Sequence, residues 1–201
     1  FRRVLFRSPE ADFCVIQRRV SYLHRVPYLL QPTHGVDLFD DSINQEINLE
    51  HPFLFKRRML FVKDPDPAGT SYFVFRDELK GNQELLAYLN LWALASETRV
   101  EGNTLIYTGQ HGVDLYCYVA EPSSVEPFSR TVGHTQGMKF GNAYKKKFGK
   151  DFRENQIQLR IAQPVRGGGF YVAIVPVKQG DPAPQFATIG GGQAIRVGLP
   201  N

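Results

Sequence analysis

Tyr22, His24 and Arg25 form a polar set whose residue types could do chemistry. Tyr22 and His24 are two positions apart, so on a β-strand they share one face, with Arg25 beside them. A guanidinium binds a carboxylate through paired hydrogen bonds, and a phenol or an imidazole can transfer a proton. The set is therefore a candidate for binding an acidic group. The competing interpretation is the polar face of an amphipathic sheet.

A second candidate lies in residues 133–155, which have neither helical nor strand periodicity. The consecutive lysines Lys145, Lys146 and Lys147 lie there among phenylalanine and tyrosine residues. Positive charge and ring stacking together could hold an anionic sugar chain. A structureless stretch of this length is typical of a functional loop. The alternative is a solvated insertion whose aromatic residues pack against the sheet.

The sequence contains no catalytic constellation. Its five histidines never lie two or four positions apart, which is the compact spacing of many metal sites. The nucleophile motif GxSxG and the phosphate-binding P-loop are both missing. Gly167 to Gly169 precede a predicted strand rather than a helix, so they lack the helix N-terminus that binds phosphate. We expect a tight turn there, and no catalytic residue is predicted.

A hairpin is predicted between residues 56 and 79, where two runs of strand-forming residues flank Asp64 to Gly69. The prolines and the glycine of that connection favour a turn.

The secondary structure of residues 83–96 is ambiguous, because their composition favours a helix whereas their apolar residues fill both faces of a strand. Trp92, the only tryptophan, lies in this segment. It is expected in the core, and an exposed Trp92 would instead favour sugar stacking.

The rest of the chain predicts further short strands. Gly102 and Asn103 supply a tight hairpin turn, and residues 113–119, 157–161 and 170–177 have strand patterns. With 42% hydrophobic residues in 201, the chain can bury the core of one all-β domain of at least nine strands. Cys14 and Cys117 lie in separate apolar runs, and we predict that both are buried free thiols.

Several of these elements also carry a family resemblance. It begins with Arg-Arg-x-Leu-Phe-Val-Lys at 57–63 and Tyr-Phe-Val-x-Arg-Asp at 72–77. Further segments of the same pattern follow in the same order along the chain: Asn90-Leu91-Trp92, residues 108–115, Ala120-Glu121-Pro122 and Gly190-Gly191-Gly192. From about Val20 to Val197, the chain resembles the C-terminal β-sandwich domain of heparinase II/III-like polysaccharide lyases.

The resemblance implies an all-β fold, an antiparallel β-sandwich of two large twisted sheets that follows a helical (α/α) toroid. It favours a strand for residues 83–96. It further implies a secreted or periplasmic parent enzyme that cleaves acidic, uronate-containing polysaccharide by β-elimination. Because the family's catalytic residues lie mainly on the toroid, this chain alone is expected to support the substrate cleft and to catalyse nothing. Tyr22, His24 and Arg25 would line that cleft.

Zinc is the cofactor that the resemblance implies for the parent, as a structural ion in the β-domain. The family's histidine-rich strand would precede Pro9, so no cofactor is expected within this chain. His34 and His51 are the candidates for one remaining zinc ligand.

Arg76 and Asp77 are expected to form a structural ion pair or turn anchor. The alternative function is a non-catalytic carbohydrate-binding or cell-surface interaction module.

Residues 1–8 are similar to the translation of a common sequencing adapter. We expect this octapeptide to be non-native, with a single domain over residues 9–201 that belongs to a longer reading frame cut at both ends. The alternative is a short basic strand.

Without the three arginines of residues 1–8, the formal net charge of the chain falls from +4 to +1. Such a charge argues against nucleic acid as a partner, and no apolar run predicts a membrane span.

Overall fold

Strand-forming segments and turn residues alternate along the chain and produce a structure built from β-strands. The computed structural model describes residues 2–25, 45–82, 85–133, 145–146 and 155–200. The strands within these ranges are β1 (Arg2–Arg7), β2 (Ala11–Arg25), β3 (Gln45–Val62), β4 (Tyr72–Lys80), β5 (Leu86–Glu101), β6 (Thr104–Gly109), β7 (Val113–Glu121), β8 (Phe128–Gly133), β9 (Asn155–Pro164), β10 (Gly169–Lys178), β11 (Gln185–Ile189) and β12 (Ala194–Gly198).

Ten of these strands form one sheet, in the order β1-β2-β3-β4-β10-β7-β6-β5-β9-β8, and β11 pairs with β12 separately. Every pairing is antiparallel. The predicted all-β antiparallel class is therefore confirmed. The two large layers of the sandwich are parts of one continuous sheet that folds over itself.

The fold-over occurs within β5. Its first half, from Leu86 to Leu94, pairs with β9, whereas its second half, from Ala95 to Glu101, pairs with β6. The register shifts between Ala95 and Glu97, at the place where the strand changes partners. Such irregularities let a strand pass from one layer of a sandwich to the other. Layer one thus contains β1 to β4, β10, β7 and β6, and layer two contains the first half of β5 with β9 and β8.

One hydrophobic cluster fills the space between the layers. Leu91 and Leu159 contribute to it from layer two, while Phe75 and Val172 contribute from layer one. Tyr107 of β6 is 1% exposed, and its hydroxyl donates a hydrogen bond of 2.9 Å to the carbonyl oxygen of Leu91. This bond satisfies a phenol that the core would otherwise desolvate, and it ties the two layers together.

The β11–β12 hairpin covers the other side of layer one. There it packs on a smaller buried cluster that includes Tyr116 and Val175. The rings of Tyr118 and Phe186 stack with their centroids 5.2 Å apart, and the Tyr118 and Thr188 hydroxyls are hydrogen-bonded at 2.8 Å. The face of β7 that carries Tyr116 and Tyr118 is therefore covered by this hairpin.

The predicted turns are confirmed. The β3–β4 connection is held by side-chain bonds to its own backbone, since Asp64 Oδ1 accepts from the Asp66 amide and Asp66 Oδ1 accepts from the Ala68 amide, both at 2.9 Å. Gly102 has a φ of 57°, as the tight turn after β5 requires. Residues 86–96 form a strand, which settles the ambiguity between helix and strand.

Arg2 to Arg7 of the octapeptide form β1, which pairs with β2 from Arg2↔Gln17 to Arg7↔Asp12. Leu5 and Phe6 are 43% and 60% exposed. The segment is therefore an edge strand whose Leu5 and Phe6 side chains are largely open to solvent. The origin of residues 1–8 as a non-native addition stays a prediction.

Among the described residues, no helix is long and apolar enough to span a membrane.

Candidate functional site

A groove opens where layer one extends beyond layer two. Within the described ranges, layer one has seven complete strands, whereas layer two has three, counting half of β5. The inner face of β2, β3 and β4 therefore continues past the free edge of β5. Two adjoining cavities of about 450 and 460 Å³ lie along this face, and Arg57 and Tyr88 line both of them.

Alternation along the strands selects the side chains that line the groove. Ile16 lies opposite Arg57 in the β2–β3 register, and Arg57 lies opposite Asp77 in the β3–β4 register. Phe170 of β10 continues this row, so aromatic and aliphatic side chains surround one ion pair. Arg18, two residues after Ile16, lines the same cavity and is exposed.

The Arg57–Asp77 pair is the central polar feature of the groove. Arg57 Nε and Nη2 donate to Asp77 Oδ1 and Oδ2, each at 2.7 Å. Asp77 is only 3% exposed, and the Arg57 guanidinium lies 4.6 Å from the Phe75 ring centroid and 5.7 Å from that of Phe55. The two-pronged geometry neutralises a carboxylate that could not otherwise be buried.

The expected pairing of Arg76 with Asp77 is wrong. Neighbouring residues on a strand point to opposite faces, so Asp77 pairs across the hairpin with Arg57. Arg76 lies on the other face, 3.5 Å from Glu121 and over the ring of Tyr171. Arg58 donates to Glu78 nearby, and this hydrogen bond lowers the pKa of the Glu78 carboxyl.

The structure describes the predicted polar set in part. Tyr22, His24 and Arg25 lie in β2, where their register partners are Asn48, Glu46 and Gln45. The placement of these three residues on a strand is confirmed. Their side chains lie outside what the structure describes, so their contact with a ligand stays a prediction. Arg18, which the sequence reasoning missed, lies upstream of them in the same strand and lines the groove.

The structure describes only some of the other predicted site residues. Lys145 and Lys146 are exposed, while Lys147 lies outside the described residues. His51 is an exposed residue of β3, and His34 lies outside the described residues. Within the described part of the chain, no cluster of three or more histidine, cysteine or acidic residues could hold a metal ion.

The expected burial of Trp92 is wrong, since this side chain is 40% exposed. Leu89, Leu91 and Trp92 all belong to the first half of β5, where alternate residues face the core. The odd-numbered leucines take the core face, and the tryptophan is left on the outer face of layer two. A segment that is apolar on both faces gives no signal for which face is buried.

Burial raises the pKa values of two tyrosines and one cysteine thiol. Desolvation raises the pKa of Tyr72 and, much more strongly, that of Tyr107. It also raises the pKa of Cys117 to about 12. These three groups therefore stay neutral near neutral pH, so none is an activated base or nucleophile.

No protein-family model and no curated protein matches the sequence. Solved structures that are similar to the chain include the heparan sulfate lyase HepC from Pedobacter heparinus, with 14% sequence identity and a TM-score of 0.46. The alignment covers 94% of this chain and 24% of that protein. The chain thus spans about a quarter of the length of that lyase.

Proposed function

We propose that the chain is the β-sandwich domain of a heparinase II/III-like polysaccharide lyase, which cleaves an acidic polysaccharide by β-elimination. One observation carries this proposal. The hairpin with the most extended resemblance motif, residues 57–77, supplies the Arg57–Asp77 pair at the centre of the groove. Part of the motif that suggests the family from sequence therefore shapes the candidate site.

The groove suits one wall of a cleft rather than a complete active site. In the part of the chain that the structure describes, the groove is open on the side where β2 and β3 extend beyond layer two, and a helical domain of the parent chain would close it there. An enclosed cleft would strengthen the attraction between a uronate carboxylate and the guanidinium of Arg18 at its rim. Tyr22, His24 and Arg25 follow Arg18 along β2 and would extend the same wall.

Catalysis is assigned to the rest of the parent protein. β-Elimination requires a neutralised carboxylate and a group that moves the proton from the adjacent carbon. Arg18 and Arg25 would contribute to the first requirement, and the helical toroid would supply the second. The structural zinc, if the parent holds one, would be bound mainly by residues that precede Pro9. The parent would act in the periplasm or outside the cell.

The test compares the chain with its complete reading frame. Unsaturated uronate products absorb ultraviolet light, so turnover can be followed directly on a broad panel of acidic polysaccharides. We expect products from the complete protein and none from residues 1–201. In the complete protein, Arg18→Ala should raise KM about tenfold, the equivalent of about 1.4 kcal/mol of lost binding.

Arg99→Ala is the matched control, because Arg99 is also an exposed arginine on a strand but lies outside the groove. Its kinetics should match those of the unsubstituted protein. Turnover by residues 1–201 alone would contradict the assignment of catalysis to the rest of the parent. A complete protein without product on the whole panel would favour the binding module instead.

A further inference from the structure

The outer face of layer two carries an organised set of aromatic and polar side chains, which meets the groove at Tyr88 and Asn90. We call this surface the platform, and it consists of Tyr88, Asn90 and Trp92 of β5, Phe128 of β8, and Gln158 and Arg160 of β9. Asn90, Arg160 and Phe128 are direct register partners across the three strands, and Trp92 is the partner of Gln158.

Three aromatic rings of the platform are open to solvent. Tyr88, Trp92 and Phe128 are 42%, 40% and 44% exposed. Tyr88 and Trp92 are four residues apart on one strand, which separates their backbone positions by about 13 Å. The rings are thus spread over a surface and do not form one compact apolar patch. Such spacing suits an elongated ligand with several apolar faces.

Arg160 is held between two of these rings. Its guanidinium lies 5.2 Å from the Tyr88 ring centroid and 5.8 Å from that of Phe128. Its Nε donates to Asn90 Oδ1 at 3.1 Å. These contacts fix a long side chain before a ligand arrives, so less conformational entropy is lost on binding.

Gln158 leaves a buried acceptor beneath the platform. Arg160 can only donate, so its bond to Asn90 identifies the Asn90 oxygen. That oxygen also accepts from Gln158 Nε2 at 2.7 Å, which fixes the orientation of the Gln158 amide. Gln158 is 1% exposed, and its Oε1 is a buried oxygen without a hydrogen-bond partner in the described structure. A hydroxyl donor would satisfy it.

We propose that the platform binds a glycan chain. The apolar faces of separate sugar rings of one chain stack on Trp92, Tyr88 and Phe128, and Arg160 donates to sugar oxygens. A sugar hydroxyl donates to Gln158 Oε1 when the side chains that cover it shift. Hydroxyl groups, which both donate and accept, fit this mixture of donor and acceptor better than a purely anionic group. Trp92, Phe128, Gln158 and Arg160 line neither groove cavity, and the proposal does not depend on lyase activity.

Trp92 makes the platform directly measurable, because it is the only tryptophan in the chain. Its emission can be recorded while residues 1–201 are titrated with alginate, heparan sulfate, chondroitin sulfate, xylan, mannan and a β-glucan. We expect a saturable shift of Trp92 emission with at least one of these polymers. Comparing the acidic with the neutral polymers identifies the charge of the preferred chain.

Phe128→Ala and Gln158→Met test the assignment while they keep the reporter. Each should weaken the affinity about tenfold, with the fold verified by circular dichroism. Phe73→Ala is the matched control, because Phe73 is also a 40% exposed aromatic residue but belongs to β4 of layer one and not to the platform. It should leave the affinity within about twofold.

Three results would overturn the proposal. The first is the absence of a saturable shift across the whole panel. The second is a loss of affinity in Phe73→Ala and not in Phe128→Ala, which would place the sugar in the groove. The third is a dimer in sedimentation that Phe128→Ala dissociates, which would assign the platform to a second copy of the chain. The lyase assay of the complete protein is unaffected by any of these results.

Discussion

Arg57 and Asp77 face each other across the β3–β4 hairpin, joined by two hydrogen bonds of 2.7 Å. The Asp77 side chain is 2% exposed, whereas that of Arg57 is 29% exposed. The carboxylate is therefore buried on the sheet, and the guanidinium remains open to the groove. This asymmetry makes the arginine the natural partner to remove in a test of the pair.

Arg57→Met should lower the free energy of unfolding by about 3 kcal/mol, because it leaves the Asp77 carboxylate buried without its cation. Urea denaturation at neutral pH measures the change. Arg99→Ala breaks an equally short but exposed pair with Glu101 and should cost less than about 1 kcal/mol. Adding Asp77→Leu to Arg57→Met should restore part of the loss. Equal costs for the two arginine variants would show that burial of Asp77 is unimportant.

Trp92→Ala should destabilise the protein by only about 1–2 kcal/mol, since 40% of this side chain already contacts water. Leu159→Ala, at a position 1% exposed, should cost about 2–5 kcal/mol. Iodide should quench Trp92 fluorescence readily in the folded protein. An emission spectrum that iodide barely affects would place the indole in the core after all.

Deletion of residues 1–8 should change the free energy of unfolding by no more than about 0.5 kcal/mol. The reason is that β1 is an edge strand whose Leu5 and Phe6 side chains are exposed. Thermal melts of residues 9–201 and of the full chain give the comparison. A drop of several degrees in Tm would show that the octapeptide stabilises the sheet as a native strand does.

Alkaline pH should destabilise the fold through Cys117 and Tyr107. Burial raises the pKa of Cys117 from its ordinary value of 9.0 to about 12, and it also raises that of Tyr107. Above about pH 9, the unfolded chain loses a thiol proton that the folded chain keeps, so stability falls as pH rises toward 12. Cys117→Ala should flatten this slope in urea titrations. Parallel slopes for the two proteins would exclude the thiol as the cause.

The sequence was sufficient for the strands whose turns are chemically distinctive. The Asp64 to Gly69 connection and the Gly102-Asn103 turn both predict the hairpins that the structure contains. The groove was harder to predict, because Arg57 and Asp77 are twenty residues apart in the sequence. Only the register of the hairpin brings them together. Counting residues outward from the turn would have suggested this pairing.

Trp92 and Gln158 show what sequence patterns leave undetermined. Trp92 lies in a strand that is apolar on both faces, so its exposure depends on which layer packs against which face. Gln158 is a polar residue in an alternating strand, a position typical of a solvated face, yet it is 1% exposed. Its burial arises from neighbours on β5 and β8 that lie far away in the sequence.

The passage of β5 between the layers has a consequence for folding kinetics. The first half of β5 must find β9, whose paired residues lie about 60 to 80 positions further along the chain, while its second half closes a local hairpin with β6. Local closure is fast and distant pairing is slow, so we expect the β5–β6 hairpin to form early and layer two to form late. One continuous strand, β5, belongs to both layers. Once β5 has paired with β9, we therefore expect the backbone amides of both layers to exchange slowly and on the same timescale.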